Sequence, residues 1–386
     1  MYIPREIEDK IRNSLQHNPV TAITGPRQSG KSTLAKYILE DYKESLYLDL
    51  ERPSDLQKLT NAEWFLEANR NKLICIDEIQ RKPEIFPLIR SLVDAWNGNG
   101  HFLVLGSSSK DLQKQSSESL AGRISYQSLS PFRLNEISHL ISLDNYLLKG
   151  GFPRSVLAAS EQDSMNWRND FITTFLERDL LQWSGFYPAV MRRLWQMLAH
   201  YNGQTANYAA FGNSLNVSNV TIRNYIDLLE GTFMLDVLPP YFSNVKKRLI
   251  KSPRIYIADP GITAALLGLD TFNQLVAHPA LGAIWEQTVL SHLKSGFPDA
   301  GFAFYRSAGG AEMDIVMSYK GKTLAFECKS SRSPALTKGN WSAIEDIKPV
   351  VTFIVAPVES GWPVSSGTEV VGLLQLRSRL QSIIES

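Results

Sequence analysis

The feature that most constrains the fold is a glycine-rich segment, Gly25–Ser32, that joins an apolar strand-like run to a helical pattern. The run Val20–Thr24 precedes this segment, and the helical pattern Lys31–Glu40 follows it. Backbone N–H groups of such a loop, together with the start of the next helix, can surround phosphate groups. A plain glycine turn before a helix is the alternative, but the spacing and the strand-to-helix context favour a phosphate-binding loop. The residues expected to bind nucleotide are Gly25, Pro26, Arg27, Gln28, Ser29, Gly30, Lys31, Ser32 and Thr33.

A second motif lies where the apolar run Leu73–Ile76 ends in two carboxylates, Asp77 and Glu78. In phosphoryl transfer, the loop lysine reaches the β- and γ-phosphates, while the next hydroxyl and an acidic strand end hold the metal. We therefore expect Lys31 to contact the phosphates and Ser32 and Asp77 to hold Mg²⁺. Glu78 is expected to polarise the attacking water. The expected cofactors are ATP and Mg²⁺.

The pattern of the whole chain predicts an α/β, multidomain protein. The N-terminal third alternates strand-like runs, such as Ser45–Leu50 and Phe102–Gly106, with helical patterns, such as Ile85–Trp96, and this alternation indicates a parallel sheet covered by helices. Residues 1–140 are expected to form this phosphate-loop domain, and residues 141–203 a helical linker or lid. Residues 204–260 are expected to form a winged helix-turn-helix, and residues 261–386 a separate α/β domain.

The composition indicates a cellular compartment but does not identify a function. Lys and Arg number 40 and Asp and Glu 39, and the resulting net charge of +1 neither favours nor excludes a nucleic-acid partner. The first residues are highly charged and lack the apolar core of a secretory signal, and no stretch is apolar enough to span a bilayer. Cys75 and Cys328 lie in apolar runs, which suits reduced thiols. We expect a cytoplasmic protein without a membrane partner.

A candidate DNA-binding segment follows the short turn Asn216–Ser218. The next helical pattern can direct Asn219, Thr221, Arg223 and Asn224 outward, where such side chains contact bases or phosphates. Downstream lies a basic cluster that suits phosphate contacts, and it consists of Lys246, Lys247, Arg248, Lys251 and Arg254. DNA is therefore an expected partner. A solvated basic loop on a protein–protein module is the alternative, with a protein partner or self-association.

A second catalytic candidate is the spacing D-x12-E-x-K formed by Asp314, Glu327 and Lys329. The period of a strand places Glu327 and Lys329 on one side of it. The pattern resembles the restriction-endonuclease-like PD-(D/E)XK core, although no proline precedes Asp314, and Glu286 on the preceding helical pattern matches an acid of several nuclease branches. The resemblance implies that Asp314 and Glu327 hold Mg²⁺ and that Lys329 orients water. An ordinary ion pair in an inactive fold is the alternative.

Several motifs together resemble one family over nearly the whole chain. They are GPRQSGKST, ICIDEIQ, LVLGSSS, SLAGR followed by LSPFRLNEI, FLERDL, TIRNYIDLLEG, EMDIV and FECKSS. With these motifs the chain resembles the AAA-type ATPases of bacteria and archaea that combine an AAA_14 domain with a C-terminal DUF4143 region. The resemblance implies that Ser107 or Ser108 senses the γ-phosphate, where many related ATPases place Asn or Thr. It also makes Arg123 a candidate for stabilising phosphate charge, with an exposed loop arginine as the alternative.

These patterns lead to one expected function and one alternative. The expected function is an ATP-binding, Mg²⁺-dependent ATPase that is coupled to DNA binding and to cleavage by a nuclease-like C-terminal domain. The alternative is a regulatory module in which ATP switches a protein- or DNA-binding surface and the nuclease-like domain is an inactive scaffold.

Overall fold

The computed structural model describes residues 2–107, 119–179, 187–242 and 250–385. The chain divides into two compact units. The first extends to Phe132 and includes the short segment Gly231–Phe233, and the second contains Arg133–Glu230 and the chain from Met234 onward. The second unit thus contains the segments in which the sequence predicts a helical lid, a winged helix and a nuclease-like domain. Those three assignments, and their boundaries, stay predictions.

The first unit is built on a parallel sheet. Its strands are β1 (Val20–Thr24), β2 (Ser45–Asp49), β3 (Leu73–Asp77), β4 (Phe102–Gly106) and β5 (Ile124–Ser128), in the order β2-β3-β4-β1-β5. Its helices are α1 (Glu8–His17), α2 (Lys31–Leu39), α3 (Pro53–Lys58), α4 (Ala62–Glu67) and α5 (Phe86–Trp96), with 3₁₀ turns at Leu59–Asn61, Ile79–Arg81 and Pro83–Ile85. The α/β fold with a parallel sheet, predicted from the alternating pattern, is confirmed.

The burial of the central strands explains why their apolar runs are so clear in the sequence. Every residue of β1, β3 and β4 is buried, because helices cover both faces of a parallel sheet and its strands become continuous apolar runs. Their register aligns the carboxyl ends, since Thr24 pairs with Gly106 and Ile76 with Val104. By contrast β5, with its partly exposed residues ISYQS, is an edge strand without such a run, and the sequence pattern did not predict it.

The N-terminal part of the second unit is mainly helical. Its helices are α6 (Leu134–Ile137), α7 (Leu143–Lys149), α8 (Pro153–Val156), α9 (Glu161–Thr174), α10 (Pro188–His200), α11 (Tyr208–Leu215), α12 (Asn219–Gly231), α13 (Pro260–Leu266) and α14 (Phe272–Ala277), with a π-helical segment Phe175–Asp179. Two antiparallel strands, β6 (Leu235–Leu238) and β7 (Arg254–Ile257), lie between α12 and α13. An aromatic and aliphatic core that includes Phe171, Phe175 and Trp195 joins these elements.

The C-terminal part of the second unit contains a mixed sheet. Its elements are α15 (Leu281–Gly296), β8 (Gly301–Arg306), β9 (Glu312–Tyr319), β10 (Lys322–Cys328), α16 (Lys338–Ile347), β11 (Val351–Ala356), β12 (Trp362–Ser365), β13 (Thr368–Gly372) and α17 (Leu373–Glu385). The strand order is β12-β13-β11-β10-β9-β8. Along the chain these elements follow the order α-β-β-β-α-β-β-β-α, and every residue of β12 is exposed. Within the described ranges, no helix has the length and apolar character needed to cross a membrane.

A buried histidine ties α6 to α15. The backbone N–H of Leu134 donates to His292 Nε2 over 3.0 Å, so this nitrogen must be unprotonated. The other ring nitrogen, Nδ1, lies 2.8 Å from the carbonyl oxygen of Thr288 and therefore carries the hydrogen. Burial lowers the pKa of His292 to about 4. The folded chain thus requires the neutral imidazole.

This requirement predicts a specific loss of stability in acid. Because the pKa of His292 is lower in the folded chain than in the unfolded one, its contribution is complete above about pH 6.5 and is lost as pH falls toward 4. The difference corresponds to roughly 3 kcal/mol of unfolding free energy. Urea unfolding of wild type and of His292→Gln, which keeps an acceptor but cannot titrate, measures this loss. Relative to the variant, the unfolding free energy of wild type should fall by roughly 3 kcal/mol between pH 6.5 and 4. Parallel curves would exclude this role.

Candidate phosphate-binding site

The loop after β1 is shaped by two glycines. Gly25 passes so close to the segment after β5 that a Cβ atom would lie 2.1 Å from the carbonyl oxygen of Leu129. Gly30, at the start of α2, has a φ of +99°, which side chains other than glycine rarely adopt. Both glycines of the predicted motif are therefore required by the backbone, and together they position the first turn of α2 at the end of β1.

Lys31 lies inside this loop. Its side chain is buried, and Nζ donates to the carbonyl oxygens of Gly25, over 2.9 Å, and of Pro26, over 2.8 Å. Burial lowers the pKa of Lys31 to about 8, while the carboxylates of Glu78 and Asp77 act in the opposite direction. Neutral carbonyl oxygens therefore hold the ammonium group at the N-terminus of α2. Phosphate oxygens can replace these carbonyl oxygens.

The hydroxyl group of Tyr47 interacts with the side chains of both Asp77 and Ser32. This hydroxyl donates to Asp77 Oδ2 and also interacts with the Ser32 side chain, and the pKa of Tyr47 is raised mainly by burial and then by Asp77. Asp77 Oδ1 accepts the backbone N–H of Glu78 over 2.9 Å. A hydroxyl and a carboxylate at this edge are oxygen donors of the kind that Mg²⁺ takes beside phosphates. The residues present therefore fit a Mg²⁺–nucleotide complex.

Glu78 is linked to Ser107 through an amide. Gln80 Nε2 donates to Glu78 Oε2, and it lies 3.2 Å from Ser107 Oγ at the end of β4. Glu78 has the left-handed φ of +55°, and burial raises the pKa of its carboxyl group. The structure thus brings the predicted water-polarising acid and the predicted sensor together. Ser108, the other sensor candidate, lies outside the described residues.

Three contributors to this site were missed from sequence. Gln80 belongs to the motif ICIDEIQ, in which only the two acids were assigned a role. Tyr47 is one residue of an ordinary strand pattern. Arg5 donates to the carbonyl oxygens of Ser29, over 3.1 Å, and Ser130, over 2.7 Å. Its guanidinium also stacks on the ring of Phe132 at 4.6 Å. Only Gln80 had a sequence signal that could have identified it.

Arg123 lies away from the phosphate-binding loop of its own chain. It precedes Ile124, which pairs with Val20 at the amino end of β1, whereas the phosphate-binding loop follows the carboxyl end. Six strand rises of about 3.3 Å separate these levels, roughly 20 Å. Arg123 instead pairs with Asp94 on α5, with NH2 2.9 Å from Oδ2. Its position agrees with the surface-arginine alternative and not with phosphate contacts in its own chain.

The second catalytic candidate lies on β9 and β10. These strands are antiparallel, and their register, which ends with Phe326 opposite Ile315, places Glu327 beside Asp314. The backbone N–H of Cys328 donates to Asp314 Oδ2 over 2.9 Å, and Lys329 Nζ lies 2.6 Å from Glu327 Oε1. Glu327 and Lys329 therefore share one side, as the strand period predicted. Burial and then Asp314 raise the pKa of Glu327.

Arg254 places a positive charge among the acids of this cluster. Its NH1 lies 3.3 Å from Asp314 Oδ1 and 3.8 Å from Glu286 Oε2, and NH2 donates to Glu312. Burial, and then the nearby Asp314, raise the pKa of Glu286. Across the described ranges, no group of three or more His, Cys, Asp or Glu side chains is arranged to hold a metal ion. The residues present do not fit the Mg²⁺ that the nuclease resemblance implies.

The same contacts correct the expected basic cluster. Arg254 is buried among carboxylates and cannot contact DNA phosphates, while Lys251 is exposed. Lys246, Lys247 and Arg248 lie outside the described residues. On α12, Asn219, Arg223 and Asn224 are exposed as predicted, and Thr221 is half-buried.

Family models match three successive parts of the chain. The model described as "AAA domain" matches residues 17–138 and contains the phosphate-binding loop. Two models described as domains of unknown function match the rest, DUF8612 at residues 140–273 and DUF4143 at residues 281–376. The AAA and DUF4143 matches agree with the resemblance seen in the motifs.

Relatives extend the comparison to nearly the whole chain. An uncharacterized protein of Mycobacterium tuberculosis is 39% identical over 362 residues, which cover 94% of this chain and 81% of that protein. An uncharacterized protein of Haemophilus influenzae is 25% identical over 64% of this chain and 69% of its own length. The solved structure of AMPPCP-bound DnaA from Aquifex aeolicus is 12% identical, with a TM-score of 0.30. The match covers 58% of this chain and 86% of that chain.

Proposed function

Since this chain belongs to the family of AAA-domain proteins that carry a DUF4143 region in their C-terminal part, we propose that it is a Mg²⁺-dependent ATPase. The observation that carries this proposal is the edge of the parallel sheet. Lys31, Asp77 and Glu78 lie there beside a loop whose glycines are fixed by the backbone.

Each residue has a distinct role in this proposal. Lys31 exchanges the loop carbonyls for β- and γ-phosphate oxygens, and Ser32 and Asp77 hold the metal. Mg²⁺ would neutralise charge on the phosphates. Glu78 polarises the attacking water, and its position depends on the amide of Gln80. Tyr47 orients Asp77 by donating to Oδ2.

The first test separates binding from hydrolysis. Glu78→Gln should retain ATP affinity and reduce phosphate release by at least about a hundredfold, because the neutral amide cannot polarise water. Calorimetry measures the affinity, and a phosphate-release assay measures the turnover.

Lys31→Ala is the matched comparison for this test. It should lose ATP affinity, because it removes the positive charge that faces the phosphates. Unchanged affinity in Lys31→Ala would exclude the loop as the nucleotide site. Turnover by Glu78→Gln at the wild-type rate would assign water activation to another group.

The second test concerns Gln80 as a positioning residue. Gln80→Leu removes the amide that joins Glu78 to Ser107, so we expect a fall in kcat of roughly tenfold with little change in ATP affinity. Gln57→Leu, the same substitution at an exposed position on α3, should leave both quantities unchanged. A loss of affinity without a loss of kcat would instead assign Gln80 to nucleotide binding.

DNA binding by the second unit is a further part of the proposal. The helices α11 and α12 are followed by the strands β6 and β7, which is the element order of a winged helix-turn-helix. The exposed Asn219, Arg223 and Asn224 on α12 support this assignment, and the guanidinium of Arg223 lies over the ring of Tyr208 at 5.1 Å. A protein partner for the same surface is the alternative.

The DNA proposal predicts a change in salt dependence. Arg223→Ala should weaken binding to duplex DNA similarly across sequences and flatten the plot of log affinity against log salt by about one unit. Arg223→Lys should keep most of that slope, and Arg70→Ala, at an exposed position in the first unit, should match wild type. Superimposable titrations of Arg223→Ala and wild type would remove α12 from the DNA-binding surface.

A further inference from the structure

The position of the Arg254 backbone does not depend on the contacts of its side chain. It begins β7, which pairs with β6 on one side. On the other side, the N–H of Gly203 donates to the carbonyl of Ile255 over 2.8 Å and that of Ala206 to Pro253 over 2.7 Å. The strand is thus paired along both edges, and only 5% of the Arg254 side chain is exposed. The position of its guanidinium is a fixed property of the fold.

The guanidinium lies at the centre of three carboxylates from two elements. NH1 faces Asp314 at 3.3 Å and Glu286 at 3.8 Å, while NH2 donates to Glu312. The ring of Phe304 lies against the guanidinium carbon at 4.9 Å. A buried guanidinium is stable only when it is paired in this way, and the carboxylates have the same requirement.

Other oxygens of the cluster have partners as well. Glu286 Oε2 accepts the Tyr256 hydroxyl over 3.1 Å, and Asp314 Oδ2 accepts the N–H of Cys328. Glu327 Oε1 pairs with Lys329. In the described part of the chain, the buried oxygen of this group without a hydrogen-bond partner is Glu327 Oε2. Mg²⁺ is usually bound through one or two carboxylates and retained waters. Here Arg254 already occupies the Asp314 and Glu286 oxygens that such an ion would use.

We propose that the Arg254 guanidinium is the resident cation of this acidic cluster and takes the place that a divalent metal ion would need. The C-terminal sheet then does not cleave DNA by a metal-dependent route. The acids that resemble a nuclease centre instead join β7 to β9 and α15 through one shared positive charge. This inference concerns a cluster far along the chain from the phosphate-binding loop and does not depend on the ATPase proposal.

Metal binding tests the proposal directly. Free Mn²⁺ is measured by electron paramagnetic resonance during titration of the full chain without nucleotide, for wild type and for Asp314→Asn. We expect the two titrations to coincide. An additional Mn²⁺ bound by wild type and lost in Asp314→Asn would overturn the proposal, as would Mn²⁺- or Mg²⁺-dependent cleavage of DNA that Asp314→Asn abolishes.

Unfolding in urea tests the role of the charge. Arg254→Met should raise the unfolding equilibrium constant by on the order of a hundredfold or more, because it leaves buried carboxylates unpaired. The double variant Arg254→Met/Asp314→Asn should recover at least about tenfold of this loss, because it removes one of those charges. Arg306→Met is the matched control, since Arg306 is 44% exposed and pairs only with Glu312 at 3.6 Å among the described contacts, and its effect should be small.

The comparison remains decisive if Arg254→Met does not fold. Arg254→Lys keeps a positive charge at the same position, so it should fold and be more stable than Arg254→Met. Wild-type stability in Arg254→Met, or no recovery in the double variant, would show that the cluster does not depend on this cation.

Discussion

The parallel register of β1, β3 and β4 is the constraint on which the nucleotide site depends. Because all three strands run in the same direction and are paired in step, their carboxyl ends meet at one edge of the sheet. The loop that follows β1, the acids at the end of β3 and the serine after β4 are separated in sequence, yet this register alone places them together. The close passage of Gly25 against Leu129 then fixes how the loop enters α2.

The sequence alone predicted this edge of the sheet, because each motif that forms it consists of consecutive residues. A buried strand next to helices on both faces is a continuous apolar run, and the loop and the acids directly follow such runs. The residues that complete the site do not have this property. Tyr47 reaches Asp77 from the neighbouring strand, and Arg5 reaches Ser130 across 125 positions of sequence. Contacts of this kind depend on tertiary packing, which a residue pattern does not contain.

Arg123 and Arg254 show why a charge in a sequence does not reveal its partner. Arg123 precedes an edge strand with no apolar run, so no residue pattern indicates that it lies at the opposite end of the sheet from the loop. Arg254 follows a basic stretch that suggested an exposed surface. The pairing of β7 on both edges nevertheless turns its side chain into a buried acidic cluster. In both cases strand position decides the role.

The two acidic sites of the chain differ in what holds their positive charge. At the phosphate-binding loop, Lys31 is bound by backbone carbonyls, which are neutral, so phosphate oxygens can take their place and the charge is then better compensated. At the C-terminal sheet, Arg254 is bound by carboxylates, and removing it would leave those charges buried without a partner. The first arrangement allows ligands to exchange and the second opposes it. In the roles proposed above, similar acidic residues support catalysis at one site and cohesion of the fold at the other.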